Sequence, residues 1–101
     1  MEFDGFDWDY GNKNKCQKHG VSISEVESIF YKKPLVAPDI KHSDQEQRFR
    51  TIGITLEGRY LFTIFTLRKK NNLIFIRPIS ARYMHKKETK NYEKEISKIQ
   101  E

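Results

Sequence analysis

The sequence predicts an α+β fold in which a small antiparallel sheet is preceded by helices and followed by a carboxy-terminal helix. Helical segments are predicted at residues 12–19, 21–30 and 86–101, on both sides of the strands. Between them, β-prone apolar runs alternate with turn residues. A run of strands flanked by helices is typical of α+β proteins whose helices pack on one face of the sheet.

The first helical segment is short and polar. It covers Asn12–His19 and ends at Gly20, which suits the positive φ that often follows a helix. Lys18 and His19 lie in its last turn, where the helix dipole favours cations. The same two side chains could instead form a cationic pair directed toward a substrate, and both interpretations stay open at this point.

Two longer helices have clearer signals. In Val21–Phe30, Ser22 is followed three residues later by Glu25, which is the pattern of a capping box. The carboxy-terminal helix, Lys86–Glu101, has a narrow apolar stripe. Its members are Tyr92, Ile96 and Ile99.

The strands are predicted from β-prone runs separated by turns. Leu35–Ile40 carries prolines, which favours an edge position, and Tyr60–Leu67 is apolar enough to be central. Arg48–Thr55 precedes a turn at 56–59, and the basic stretch 68–72 is predicted to be a second turn. Pro78 is expected to end strand pairing on one side.

Length and composition limit the class of protein. The 101 residues suffice for a single domain, 1–101, and a hydrophobic fraction of 37% allows a packed core. No apolar run is long enough for a transmembrane helix. The single cysteine, Cys16, and the lack of a signal-peptide pattern predict a cytoplasmic protein.

The charge is uneven along the chain. The net charge is +5, but the first ten residues hold four carboxylates and no basic residue, so the rest of the chain carries +9. A basic body favours an acidic partner such as nucleic acid or an acidic protein. No basic amphipathic helix with a wide apolar face occurs, so a membrane partner is not expected. The acidic amino-terminal segment is a candidate internal cover for the basic surface.

The stretch from Leu73 to His85 concentrates the polar groups that chemistry would need. Its first half reads as a buried strand, and Arg77, Ser80, Arg82 and His85 are predicted at the exit of that strand. Cleavage of RNA without a metal requires a base, an acid and cations that stabilise the phosphate. Arginine suits this task because its planar fork binds two oxygens at once.

These arguments give a set of candidate site residues. The candidate catalytic residues are His19, Arg48, Arg77, Arg82 and His85. The candidate RNA-binding residues are Lys18, Arg50, Lys86 and Lys87. No cofactor motif is present, and a metal site at His42 is not expected because no second His or Cys follows at ligand spacing. His85 has a structural alternative, because with Glu88 it could form the amino-terminal box of the last helix.

Four segments together resemble the BrnT toxins of bacterial type II toxin–antitoxin systems. They are FDWD (6–9), KHGVS (18–22), HSDQEQRF (42–49) with Ile52-Gly53, and RPISARYMHKKE (77–88). The resemblance implies a RelE-like fold and a cytoplasmic endoribonuclease that inhibits translation by cleaving RNA. It also implies a BrnA-type antitoxin, with operator DNA bound only through the complex. A homodimer within a heterotetramer is compatible with it.

The resemblance also assigns family positions to this chain. The recurring polar residues fall on Lys18, His19, Glu46, Arg48, Arg77, Ser80 and Arg82. Members of the family often have Ser, Thr or Asn where His85 stands here. The alternatives are a non-catalytic protein on the same scaffold that binds nucleic acid or antitoxin, and an unrelated RNA-binding module. The second lacks support because the aromatic pattern of an RNA-recognition motif does not occur.

Overall fold

The computed structural model describes residues 2–100, apart from the side chains at positions 42, 99 and 100. The prediction for Ile99 and the metal question at His42 therefore concern side chains outside the described residues. The helices and strands are β1 (Gly5–Phe6), α1 (Tyr10–Gln17), α2 (Ile23–Phe30), β2 (Leu35–Pro38), a short 3-10 helix (Ile40–His42), β3 (Phe49–Ile54), β4 (Tyr60–Lys70), β5 (Leu73–Tyr83) and α3 (Lys86–Gln100).

Five strands form one sheet in the order β1-β5-β4-β3-β2. All neighbours are antiparallel except β1, which pairs parallel with β5 and places Gly5 opposite Phe75. The predicted α+β class is confirmed, with a sheet that is mixed rather than wholly antiparallel. The expectation that the helices pack on one face is wrong for α3, which contacts Tyr60 and Arg82 on the face opposite the core. The predicted central position of β4 and edge position of β2 are also confirmed.

Helices α1 and α2 supply the helical side of the core. Ser22 caps α2, and the predicted capping box is present, with Glu25 accepting a hydrogen bond from the Ser22 N–H at 3.0 Å. The helix packs so closely on β3 that a Cβ added at Gly53 would lie only 2.4 Å from the Cβ of Ile29. The buried apolar residues are Cys16, Val21, Val26, Ile29, Phe30, Leu61, Phe65, Ile76 and Ala81.

The hairpin between β4 and β5 is longer than predicted. Residues 68–72 were expected to form a basic turn, but β4 continues to Lys70, which pairs with Leu73. The turn consists of Asn71 and Asn72 alone, with φ of 51° and 67°. Asparagine tolerates this left-handed region, which two-residue hairpin turns require. Backbone pairing does not depend on burial, so exposed basic residues extend the strand.

Strand β5 also runs further than expected. The prediction that Arg77, Ser80 and Arg82 follow the strand exit is wrong, because β5 extends to Tyr83 and carries all three. Pairing with β4 continues past Pro78, with an irregularity that leaves Ile79 without a partner. Pairing with β1 ends at Ile76, so the expected stop occurs on that side only.

Among the described side chains, two pairs connect α3 to the sheet. The Tyr92 ring meets the Tyr60 ring edge to face, with centroids 5.7 Å apart, and Glu88 forms an ion pair with Arg82. Tyr92 and Ile96 are half-buried, as expected for the apolar stripe. Within the part of the chain that is described, no helix combines the length and apolar character needed to cross a membrane.

Candidate active site

One face of the sheet is left partly open by the helices. Side chains of successive strand residues point to opposite faces, so Phe62 and Ile64 lie on the side opposite the buried neighbours that pack under α1 and α2. Arg82 is paired with Phe62, and Ser80 with Ile64. Paired residues of antiparallel strands share a face. We call the surface around Phe62, Ile64, Ser80 and Arg82 the open face.

Helix α1 is fixed against the edge of β5 by a buried asparagine. Asp9 caps the helix and accepts a hydrogen bond from the Asn12 N–H at 3.0 Å. The Asn12 side-chain amide donates to the carbonyls of Asp7 at 2.9 Å and Pro78 at 2.8 Å. Because Asp9 is the cap, α1 begins at Tyr10, earlier than the predicted start at Asn12. These bonds fix the first turn of α1 against β5.

A cationic groove lies between the end of α1 and the open face. Its volume is 260 Å³, and its lining residues are Lys15, Lys18, His19, Phe62, Ile64, Ser80, Ala81 and Arg82. Lys15 lies in the last turn of α1, Lys18 is the residue that caps its end, and His19 lies in the turn that follows, so the helix ends before the predicted His19. None of these three makes an ion pair or a side-chain hydrogen bond with another described residue, so their donors face solvent.

Arg82 stands on the opposite wall of the groove. Its guanidinium donates two hydrogen bonds to Glu88 of α3, at 2.8 and 3.0 Å, and lies 5.0 Å from the centre of the Phe62 ring. The bonds from Arg82, helped by the backbone N–H of His85, lower the pKa of Glu88 to about 2. Glu88 is therefore ionised at neutral pH and holds the guanidinium in a fixed plane.

Arg77 is neutralised by the amino-terminal segment. Its guanidinium donates to Asp9 at 2.8 Å and lies 3.6 Å from Asp7, and only 19% of the side chain is exposed. The pKa of Asp9 is lowered, first by the Asn12 N–H and then by Arg77. The acidic segment thus covers Arg77, whereas Arg48 and Arg82 have other carboxylate partners. Arg77 does not line the groove.

Arg48 belongs to a separate charged cluster. It lies 3.4 Å from Glu46, which also binds Arg68 at 2.6 Å. The pKa of Glu46 is lowered mainly by the hydrogen bond from Arg68. The Nε of Arg48 is buried and finds no hydrogen-bond partner among the described residues. Arg48 lines a depression other than the cationic groove, together with Glu46 and Lys41.

The remaining predicted residues lie outside the groove. The backbone N–H of His85 donates to Glu88 at 3.1 Å, which is the helix-start alternative considered for this residue. Lys86 and Lys87 follow in the exposed first turn of α3. Arg50 is exposed and lines a neighbouring depression on the open face. The structure thus gathers Lys18, His19, Ser80 and Arg82 around one groove and separates the others from it.

The comparison with protein families identifies the chain. A family model described as a ribonuclease toxin, BrnT, of type II toxin–antitoxin systems matches residues 8–88. The chain belongs to the BrnT family. A comparison with curated proteins found no match. The family resemblance inferred from the sequence is therefore confirmed.

Membership in the BrnT family fixes the class of activity. The chain is a ribonuclease toxin of a type II system, which implies an RNA target and an antitoxin partner. The matched residues run from Trp8 to Glu88, so they include every residue that lines the groove as well as the Glu88 that holds Arg82.

Sequence reasoning missed several residues that line the groove of this BrnT protein or bind a residue of it. Lys15 was not singled out, although its spacing to Lys18 and His19 was a usable signal. Glu88 was considered only as a helix cap, and its bond to Arg82 has no local signal. Phe62 was assigned to the central strand without a face, because an almost continuously apolar run does not show which residues point outward.

A resident metal centre has little support in the residues themselves. Among the described side chains, no group of three or more His, Cys, Asp or Glu residues is placed to hold an ion. The groove itself contributes two lysines, a histidine and an arginine. Lysine and arginine are not metal ligands, and their charge repels a cation.

Proposed function

We propose that this BrnT protein is a metal-independent endoribonuclease that cleaves RNA in the cationic groove, and that it inhibits translation in the cytoplasm in this way. The observation that carries the proposal is the convergence of Lys15, Lys18 and His19 on Arg82 across one groove. These groups supply both kinds of chemistry that RNA cleavage needs, namely proton transfer and phosphate stabilisation.

The reaction is a transesterification within the RNA. The 2′-oxygen forms a bond to phosphorus, the bond from phosphorus to the 5′-oxygen breaks, and a 2′,3′-cyclic phosphate results. A base removes the proton from the 2′-hydroxyl, and an acid delivers one to the departing 5′-oxygen. His19 is the candidate for proton transfer, because imidazole exchanges protons near neutral pH. Lys15 and Lys18 would hold the phosphates on either side.

Arg82 is suited to stabilise the charge that develops on the phosphate. Its two hydrogen bonds to Glu88 use two of the five guanidinium N–H groups, so the others stay available to phosphate oxygens. A donor already held in place costs little reorganisation when the transition state forms. Arg77 and Arg48 have carboxylate partners outside the groove, and in this proposal they shape the surrounding surface without contacting the cleaved phosphate.

The same surface is where we expect the antitoxin to bind and inhibit the toxin. We propose that a BrnA-type antitoxin covers the cationic groove with an acidic segment, which blocks RNA and relieves the repulsion among the basic residues. The charge of +9 outside the first ten residues supports this, since complementary potentials steer association. Contact with operator DNA would be made by the antitoxin within the complex.

The test is RNA cleavage by purified, antitoxin-free protein in the presence of EDTA. We expect cleavage products that end in a 2′,3′-cyclic phosphate, with no requirement for a divalent metal. Substituting His19→Ala should slow cleavage by about 10²–10⁴-fold, the usual contribution of general acid–base catalysis. His85→Ala is the matched comparison, because it removes the same side chain outside the groove.

Three outcomes would contradict the proposal. Activity that EDTA abolishes and magnesium or manganese restores would overturn the metal-independent mechanism. RNA binding without cleavage, under conditions in which the protein still arrests growth, would favour the alternative of a non-catalytic binding protein. An equal loss in His19→Ala and His85→Ala would remove the groove as the catalytic centre.

A further inference from the structure

A second depression on the open face adjoins the cationic groove. It has a volume of 280 Å³ and lies between the edge strand β2, the neighbouring strands β3 and β4, and α3. Its lining is mainly apolar and includes Leu35, Ile52, Phe62 and Tyr92, with Arg50 as its charged member. We call it the apolar pocket. Leu35 is 66% exposed at its outer wall, so apolar surface there is left uncovered.

The groove and the apolar pocket are continuous. Phe62 lines both of them. Arg82 lies opposite Phe62, Phe62 opposite Ile52, and Ile52 opposite Leu35, so one cross-strand row leads from the groove to the outer wall of the pocket. Neighbouring strands are about 4.8 Å apart. The pocket therefore begins about one strand spacing from Arg82, within reach of the nucleotide whose phosphate Arg82 would hold.

The walls of the pocket have the chemistry that unstacked bases bind. Tyr92 is half-buried, and its ring is supported edge to face by Tyr60 with centroids 5.7 Å apart. Phe62 presents a second aromatic ring, and Arg50 provides a guanidinium. Nucleobases of single-stranded RNA stack on aromatic rings and on arginine planes. A pocket with these groups beside a phosphate groove fits a nucleobase attached to that phosphate.

We propose that the apolar pocket receives a nucleobase next to the cleaved phosphate, an inference that rests on the proposed cleavage in the cationic groove. The base enters over Phe62 and lies against Tyr92. The pocket then positions the RNA strand and contributes to the choice of cleavage site. Because Tyr92 is carried by α3, and Glu88 of the same helix holds Arg82, a single helix sets the pocket and the groove in register.

The experiment compares RNA oligonucleotides that contain one cleavage site with versions lacking a single base. An abasic nucleotide is placed in turn at each position beside the cleaved bond. At one position, loss of the base should lower the rate of cleavage at limiting RNA by roughly 5- to 150-fold, the range expected from the stacking of one base. Tyr92→Leu should reduce cleavage of the intact RNA similarly and cause little further loss on that abasic RNA, whereas Tyr92→Phe should retain most activity.

The matched control is Tyr31→Leu, which removes an exposed tyrosine that packs on Phe3 and Phe6 away from the open face. This variant should cleave the intact and the abasic RNA at the same rates as the wild type does. Binding is measured in parallel with an RNA that carries a 2′-deoxy sugar at the cleavage site and cannot be cut. Weaker binding of the abasic version by wild type but not by Tyr92→Leu supports the pocket even without cleavage.

The outcomes separate the two proposals. Cleavage that proceeds equally with intact and abasic RNA at every position overturns the base pocket and leaves the catalytic groove standing. Absence of cleavage together with base-dependent binding overturns the catalytic proposal and supports the pocket. If Tyr92→Leu changes neither RNA readout but weakens binding of the antitoxin, the pocket belongs to the protein partner and the inference is wrong.

Discussion

Replacing Arg82 with alanine should abolish most of the toxic activity while leaving the fold intact. Arg82 lines the groove opposite Lys18 and His19 and is held by Glu88. Removing one preorganised donor from a developing oxyanion costs about 2–4 kcal/mol of transition-state stabilisation. That corresponds to a cleavage rate roughly 30- to 1,000-fold lower, because each 1.36 kcal/mol changes the rate tenfold.

The cost of the same change to stability should be much smaller. The Arg82 side chain is 40% exposed, so its ion pair is screened by solvent and contributes little to folding. Its contact with the Phe62 ring contributes about 0.5–1 kcal/mol. A domain of this size loses about 4–8 °C in Tm for each kcal/mol. Arg82→Ala should therefore remain folded at growth temperature, and a lower cleavage rate would then report the loss of catalysis and not of folded protein.

The assay is single-turnover cleavage of RNA, with thermal unfolding measured on the same preparation. Arg59→Ala is the control, because the Arg59 guanidinium lies 3.4 Å from the Tyr83 ring centre and its loss also removes a cation–π contact. It should be similarly stable and fully active, and its expression without antitoxin should still arrest growth. If Arg82→Ala is folded, cleaves at the wild-type rate and remains equally toxic, the groove is not the catalytic site.

Three further predictions test the packing, the Glu88 pair and the antitoxin surface. Gly53→Ala should destabilise the fold by about 1–3 kcal/mol, because its Cβ would collide with Ile29. Gly11→Ala is the control, because its Cβ would meet only an ordinary contact at 3.4 Å. The urea midpoint should fall for Gly53→Ala and should stay the same or rise for Gly11→Ala. The pKa of Glu88 is lowered from 4.5 to about 2, so its pair with Arg82 stabilises the fold above pH 4.5 and loses that effect as the pH falls toward 2. Because solvent screens this exposed pair, the urea midpoint of Glu88→Gln should lie only slightly below that of wild type at pH 6 and converge with it near pH 2. A gap that does not change with pH would contradict the linkage. Association with the antitoxin should slow as salt approaches physiological strength, where charges are screened beyond about 8 Å, with affinity falling less than the on-rate in stopped-flow measurements. An on-rate that salt does not change would refute electrostatic docking.

Local signals were sufficient for much of the fold. The capping box of α2, the edge position of β2 and the hairpin at 56–59 depend on residues close in sequence, and all three occur as predicted. The arrangement of β5 could not be derived in this way. Arg77 and Ser80 are three residues apart, so strict alternation would place them on opposite faces of the sheet. The irregularity at Ile79 pairs them with Thr66 and Ile64, which share a face.

The candidate site was only partly accessible from the sequence for a similar reason. Local composition identified the basic residues but not their partners, which come from distant parts of the chain. Asp9 reaches Arg77 across 68 residues, and Glu46 reaches Arg68 across 22. Neither pairing has a sequence signal, yet each decides how much of an arginine is available to RNA. Lys15 is the exception, because it lies three residues before Lys18 in the predicted helix, a spacing that places two side chains on one side of a helix.

Because several arginines are paired with carboxylates, the net charge does not show which cations are available to RNA. Arg48, Arg77 and Arg82 each have a carboxylate partner, so among the described residues the cations of the groove without such a partner are Lys15 and Lys18 at the end of α1. Lysines on flexible stems attract a phosphate backbone without fixing its geometry, whereas an arginine held by a carboxylate fixes geometry with little net charge. In the proposed mechanism, attraction of RNA and alignment of the cleaved phosphate are therefore assigned to different walls of the same groove. Loss of Lys15 or Lys18 should be felt mainly in RNA binding and its salt dependence, and loss of Arg82 mainly in the cleavage step.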